Sequence, residues 1–392
     1  MTAREYPVFT VTPKAERSLR AGHPWVYGEE VTAVEGAYQN GDMVDVVSNK
    51  GRYLGTGWVN DHSKIRVRII SRNANDTFDE AFFRRRVCYA LNYRKTVMGP
   101  VDYRCCRLIF GEADQFPGLT VDRFENILVT QVLSLGMERR KDWVYRALVE
   151  LLREDGEQID AIYERNDVTI RTLEGLEQGK GFYQMEGLRT DLSGHVTITE
   201  NRIKYDVDYM EGQKTGFFLD QKYNRQAAAK LARGRRVLDC FTHTGAFALN
   251  AAAAGAEHVT AVDVSAFALE LAAENGKRNG LTNLDYKCAD VFDLLTEMAK
   301  EKKCDYDYII LDPPAFTKSR ATAKNAYHGY KEINRKAMRL LPRGGYLATC
   351  SCSHFMTDEM FRKMLQEAAL DAGVTLRQIG ARQQAPDHPI LP

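Results

Sequence analysis

Near the start of the chain, apolar and polar residues alternate with period two through GDMVDVV, GRYLGTGWVN and SKIRVRIIS. That spacing predicts short strands with one buried face. Gly41, Gly51, Gly55 and Gly57 punctuate them. Such strands must close on one another, so residues 1–75 are expected to form a small β-barrel. Trp25 and Tyr27, in AGHPWVYGEEV, fit either core aromatics or a binding rim. The period then changes. From Asp79 to Met98, Phe82, Phe83, Val87, Ala90, Leu91 and Val97 recur at helical spacing, while Arg84, Arg85, Arg86, Arg94 and Lys95 give a basic face. RCCRLIF, LTVDRF and ILVTQVLS follow as strand-like segments, then a helix from about Arg139 to Arg153, then AIYERN and VTIRTL. Residues 76–185 therefore read as a small α+β module. HVTITENRIKYDVDY predicts a hairpin beyond it.

From Gly234 the rhythm becomes strand, glycine turn, helix. RRVLDCF precedes GAFALNAAAAG, HVTAVDVS precedes AFALELAAENGKRNG, and LDYKCAD precedes VFDLLTEMAKE. YDYIILDPP and, after one more helix, YLATCSCS complete the series. Alternating units with near-continuous apolar strands specify a parallel sheet covered by helices, so residues 186–392 are expected to be an α/β domain.

A chain of 392 residues with 44% hydrophobic side chains can bury more than one core. No stretch approaches the roughly 20 apolar residues of a membrane span. MTAREYPVFT has neither a hydrophobic signal region nor an arginine-rich presequence, so a cytoplasmic protein without a membrane partner is expected. None of the eight cysteines forms paired C-x-x-C motifs, which argues against structural zinc, and no metal is expected. The net charge of +1 hides an uneven distribution. Residues 1–110 hold 17 Lys and Arg against 12 Asp and Glu, residues 111–200 hold 10 against 18, and residues 201–392 hold 27 against 23. Two basic ends around an acidic middle are compatible with a nucleic-acid partner. The oligomeric state stays open, a homodimer included.

Ligands of open α/β sheets bind beyond the carboxyl ends of the strands. Four successive ends here carry Asp239, Asp263, Asp290 and Asp312, and the fifth lies near Cys350. The first turn, DCFTHTGAF, has only Gly245 where a dinucleotide site needs several glycines, and Asp239 would stand where a phosphate belongs. An ammonium group suits Asp239 better. Asp263, 24 residues on, is placed for a ribose diol, leaving Asp290 for an adenine amino group. Together these describe S-adenosylmethionine. Helix capping is the structural alternative for Asp239 and Asp290.

VLDCFTHTGAF, AVDVS, ADVFD, LDPPAF and TCSCS resemble the ordered motifs of class I methyltransferases. With GQKTGFFLDQKYNR, from Gly212 to Arg225, the chain resembles the bacterial large-subunit ribosomal RNA cytosine-5 methyltransferases. The resemblance covers nearly the whole chain. It implies an N-terminal PUA domain, an α+β middle domain and a Rossmann-like methyltransferase domain, with large-subunit ribosomal RNA as partner. It further implies a cofactor-covering role for Thr215, Gly216, Phe217 and Asp220. It also implies residues beyond DHPILP that would return a final strand to the sheet edge.

Carbon 5 of cytosine is a poor nucleophile until a thiolate adds at carbon 6. In LDPPAF the prolines lock a turn in which Asp312 can meet the base edge; capping is again the structural alternative. Strand alternation would put Cys350 and Cys352 on one face and cannot choose between them. The resemblance maps the nucleophile of a T-C-S triplet to Cys350. That thiol is expected to be partly ionised, favoured by helix N-termini and the cofactor's sulfonium. Pro314 stands where such enzymes sometimes carry the cysteine that resolves the adduct, and Lys318 is a candidate for orienting RNA or base. Two alternatives remain: methylation of a guanine ring nitrogen, and a non-catalytic RNA-binding protein. Nitrogen-methylating sites usually place an aromatic directly after the prolines, where this chain has Ala315 before Phe316.

Overall fold

The computed structural model describes residues 5–301, 304–317, 322–353 and 355–391. The described parts of Met1–Ile198, Val207–Asp220 and Ala385–Pro392 form one compact unit, and those of Thr199–Asp206 and Gln221–Gln384 form a second.

The first unit opens with β1 (Val8–Val11), α1 (Pro13–Arg20), β2 (Trp25–Tyr27), β3 (Val31–Glu35), β4 (Met43–Ser48), β5 (Tyr53–Val59) and β6 (Ile65–Ser71). These strands form a six-stranded sheet in the order β2-β6-β5-β4-β1-β3, antiparallel except for the β1–β4 pair. Its core gathers Phe9, Val11, Val44, Val46, Val59 and Val67 with Ala15 and Leu19 of α1. Helix α1 has no counterpart in the sequence expectation. Thr12 caps it through the Ala15 amide and Pro13 occupies its first turn, where proline's missing N–H costs nothing.

The long helix α2 (Glu80–Val97) follows, then β7 (Cys105–Phe110), β8 (Leu119–Phe124), β9 (Ile127–Val132), the short α3 (Leu135–Glu138), α4 (Lys141–Glu154), β10 (Ala161–Arg165) and β11 (Lys180–Phe182). The sheet order is β11-β10-β9-β8-β7. VTIRTL, grouped with the extended segments by sequence, is instead a 3-10 turn over Thr169–Glu174. Within it buried Arg171 sends its guanidinium to the carbonyls of Val132 and Glu177. The basic face of α2 is consumed internally. Arg84 pairs with Glu150 and Glu154, Lys95 with Asp155, and fully buried Arg94 with Asp114.

The expected hairpin is β12 (His195–Glu200) paired with β13 (Ile203–Asp208). The second unit continues with α5 (Lys222–Ala229), β14 (Arg236–Cys240), α6 (Ala246–Ala253), β15 (His258–Asp263), α7 (Ala266–Arg278), β16 (Leu284–Cys288), α8 (Val291–Glu301), β17 (Tyr308–Leu311), α9 (Ala323–Leu340), β18 (Tyr346–Thr349) and α10 (Asp358–Ala372). Among the described residues β14–β18 form one all-parallel sheet in the order β16-β15-β14-β17-β18. Central β14 and β17 are almost wholly buried, as helices on both faces require, whereas edge strands β16 and β18 are only partly covered.

Candidate active site

Strand order reverses between β14 and β17, which makes their carboxyl ends the binding crevice of this sheet. Asp239 lies in β14 and Asp312 directly follows β17, in a register that pairs Asp239 with Ile310 and Cys240 with Leu311. On the other side, β17 pairs Leu311 with Thr349, and the Cys350 amide donates to the Leu311 carbonyl over 2.8 Å. Two parallel registers thus bring Asp239, Asp312 and Cys350 to one place.

Asp239 is completely buried. The Thr242 hydroxyl donates to its Oδ2 over 2.5 Å, while Oδ1 has no hydrogen-bond partner among the described residues. Burial pushes this carboxyl up to about 7; the Thr242 bond and the neighbouring Ala248 amide oppose that, and the charges of Asp312 and Asp263 add to it. A buried acid with an unused acceptor beside further carboxylates calls for a cation, and the ammonium of S-adenosylmethionine supplies one. The residues present therefore fit that cofactor.

Asp263 ends β15 and is fixed by two backbone donors, His243 N at 2.8 Å to Oδ2 and Ser265 N at 2.9 Å to Oδ1. Each oxygen keeps acceptor capacity for a diol. The loop between β14 and α6 reaches both acids at a conformational cost, because Phe241 and His243 hold φ of 63° and 52°. Gly245 follows at φ 82°, and a Cβ there would stand 2.9 Å from Ala272 Cβ on α7. Burial lowers the His243 imidazole, leaving it neutral at pH 7. Asp290 is exposed and accepts from Asp293 N over 3.1 Å, capping the start of α8. Oδ1 thus makes the capping contact raised from sequence as the structural alternative.

The two thiols differ. β18 ends at Thr349, so the alternation expected through TCSCS stops before it can put them on a shared face. Cys350 is half-buried against the Ala248, Tyr308 and Ile310 cluster, whereas Cys352 is exposed with its sulfur 3.5 Å from the Pro313 carbonyl. The expected ionisation of Cys350 is reversed: burial first, then the charges of Asp312 and Asp239, push the thiol well above its ordinary range. The Gln221 side chain opposes that shift by a hydrogen bond, and it also donates to Asp312 Oδ1 over 3.2 Å. Phe316 packs inward, its ring 4.5 Å from Tyr330 and 5.8 Å from Phe292. Lys318 lies outside the described residues.

Thr215, Gly216, Phe217 and Asp220 belong to the first unit. Thr215 and Phe217 are buried, and the Thr215 hydroxyl donates to Asp122 Oδ2 over 2.6 Å. Gly216 holds φ 125°, and a Cβ there would meet Val207 Cγ1 at 2.8 Å. The Asp220 carbonyl accepts from Ala385 N. Sequence reasoning overlooked Gln221, Thr242 and Asp122. The first two stand within motifs already singled out, DQKYNR and FTHTG; Asp122 had no local signal.

Residues 9–72 match a family described as PUA-like domain, and residues 183–390 match one described as S-adenosylmethionine-dependent methyltransferase. A protein of Pseudoalteromonas atlantica named ribosomal RNA large subunit methyltransferase I is 40% identical, over 97% of this chain and 94% of its own length. One of the same name from Shewanella denitrificans is 42% identical over 96% and 94%. A Streptococcus mutans structure described as a SAM-dependent methyltransferase superposes with TM-score 0.79 at 22% identity, covering 98% of this chain and 95% of that one. A second methyltransferase, complexed with SAH, gives 0.80 over the same shares. With the acids and the switch point in place, the chain belongs to the S-adenosylmethionine-dependent methyltransferases, in a branch that carries a PUA-like domain ahead of the catalytic fold.

Proposed function

We propose that this protein methylates large-subunit ribosomal RNA in the cytoplasm, at carbon 5 of a cytosine, with Cys350 as nucleophile. The observation that carries the reading is the juxtaposition of Cys350 with Asp312 at the switch point, set by the Cys350 amide bond to Leu311. Relatives named for ribosomal RNA methylation, matched over nearly their full length, support the substrate class. The cofactor supplies an electrophilic methyl group. Asp239 takes its ammonium, Asp263 its ribose, Asp290 its adenine edge, and Gly245 lets the loop approach; the segment with Thr215, Gly216, Phe217 and Asp220 covers it. Asp312 holds the base edge while the Cys350 sulfur adds to carbon 6. Carbon 5 then takes the methyl group, its proton passes to a base, and the sulfur leaves. Residues 1–75 and 76–185 act as RNA-binding barrel and middle module, and Lys318 orients the RNA or the base.

The raised Cys350 thiol gives the reading a requirement: ionisation must be coupled to binding of the cation and the base. RNA with 5-fluorocytosine at the target should trap a covalent adduct with the wild type but not with Cys350→Ala, because fluorine cannot leave as a proton does. A trap of equal yield in Cys350→Ala, or one that needs only Cys352, removes the assignment. Nitrogen methylation is less well supported, since Phe316 is packed against Tyr330 and offers no stacking face directly after the prolines.

A further inference from the structure

We infer that the side-chain amide of Gln221 is a positioning group for methyl transfer, holding the Asp312 carboxylate and the Cys350 sulfur in one hydrogen-bonded set. The inference rests on the proposed function in taking Cys350 and Asp312 as the reacting pair.

Chemistry fixes the orientation of the amide. Asn224 Nδ2 donates to Gln221 Oε1 over 2.6 Å, which commits the carbonyl end. The NH₂ end is then left for Asp312 Oδ1 at 3.2 Å and for the Cys350 sulfur. An ionised carboxylate only accepts, so the reverse amide orientation would set a carbonyl against Asp312 and an NH₂ against Asn224's donor.

The base of this arrangement is rigid. Gln221 immediately precedes α5, whose buried Arg225 makes a two-pronged pair with buried Glu200, at 2.6 and 2.8 Å. The carbonyl of Lys222 accepts from Asn201 Nδ2, and that of Ala228 from the Tyr308 hydroxyl of β17. Gln221 is thereby held against the strand that delivers Asp312.

A neutral amide suits the task. An arginine or lysine there would pair with Asp312 and compete with the cationic cofactor for the acidic crevice. An amide donates to carboxylate and sulfur together and adds no charge. Because it favours the anionic sulfur, it works against the burial and the two carboxylates that hold the thiol protonated.

The test separates positioning from cofactor binding and from the identity of the acceptor base. Gln221→Leu and Gln221→Glu are made in full-length protein on a Cys352→Ala background. Alkylation by iodoacetamide is then read by mass spectrometry on the peptide that contains Cys350, so the other thiols do not contribute. In Gln221→Leu, kcat should fall about tenfold to a hundredfold, as expected for a lost hydrogen bond to an anion. S-adenosylmethionine Kd should stay within about twofold, the scale of an uninvolved contact. The pH profile of Cys350 alkylation should move to higher pH, and further in Gln221→Glu, which adds a like charge. An unmoved alkylation profile in folded Gln221→Leu overturns the inference. So does an effect confined to S-adenosylmethionine affinity, with kcat at saturating cofactor unchanged. Alkylation needs neither RNA nor turnover, so a shifted profile with no 5-methylcytosine product would keep the positioning role and reject the cytosine reading. Should Gln221→Leu fail to fold, Gln221→Glu carries the same readout.

Discussion

The Thr215 hydroxyl is bonded to Asp122 over 2.6 Å, with both side chains shut away from solvent. Asp122 also receives Nε and Nη2 of Arg107, at 2.7 and 2.8 Å. Burial alone would raise this carboxyl, but Arg107, His388 and Thr215 hold it below its usual range. The segment proposed to cover the cofactor is therefore anchored by the Thr215 hydroxyl to a buried ion pair. Thr215→Val should cost about 1–2 kcal/mol in denaturant unfolding and weaken S-adenosylmethionine binding. Asp122→Ala should cost roughly 3–5 kcal/mol, because Arg107 is left without its partner. Equal stability of the two variants would contradict the ion-pair account.

Asp239 makes stability depend on pH. Its folded value of about 7 lies above the unfolded carboxylate value, so the folded state binds the extra proton between those limits. Its contribution is complete at low pH and is lost as pH rises through 7. Asp239→Asn should remove that dependence, leaving a variant more stable than wild type at pH 8 but with greatly weakened S-adenosylmethionine binding. Thermal unfolding from pH 5 to 8 checks the first part and calorimetry the second. A steeper loss of stability with pH in the variant would rule out this role.

Asp263→Ala should weaken S-adenosylmethionine by roughly 1–3 kcal/mol through lost charge-assisted hydrogen bonds. It also frees the amides of His243 and Ser265, so part of the loss should appear as lower stability. Calorimetry showing unchanged affinity in the folded variant would withdraw the ribose assignment.

Gly245→Ala combines a left-handed φ of 82° with a Cβ placed 2.9 Å from Ala272 Cβ. A loss on the order of 1–3 kcal/mol is expected in denaturant unfolding. Adding Ala272→Gly should recover the steric share and leave the conformational share.

RNA binding should weaken with salt, with a slope near −0.7 per phosphate contacted on single-stranded RNA. Arg94→Ala should destabilise the first unit without changing that slope, since Arg94 is fully buried on Asp114. Arg84→Ala should change it little, because Arg84 already faces Glu150 and Glu154. A large fall in slope for either variant would place α2 on the RNA-binding face.

The parallel sheet and its crevice were legible because both are local. Apolar runs marked β14 and β17, and Asp239 and Asp312 stood at their ends in the written sequence. Cys350 and Cys352 could not be separated that way, because the deciding fact is where pleating stops, at Thr349. The basic face of α2 read as a surface since the acids that neutralise it, Asp114, Glu150, Glu154 and Asp155, lie on other elements. VTIRTL gave no local sign of its turn: Arg171 bonds the Val132 and Glu177 carbonyls there, but Arg165 within strand β10 reaches carbonyls as well.

The segment around Asp387 has a bearing on how the protein is made. Asp387 Oδ2 accepts from the Arg107 amide across 280 residues of sequence, and the Asp387 carbonyl accepts from buried Arg94. Both contacts lie within the first unit, yet residues 221–384 leave the ribosome before Asp387 does. A nascent chain can build the sheets of that unit early, and Arg94 can already find Asp114. The Arg107 amide and the remaining Arg94 donor must wait for partners translated much later. The first unit is thus assembled early but closed late, and its last contacts act as a seal set only once the segment around Asp387 has been made.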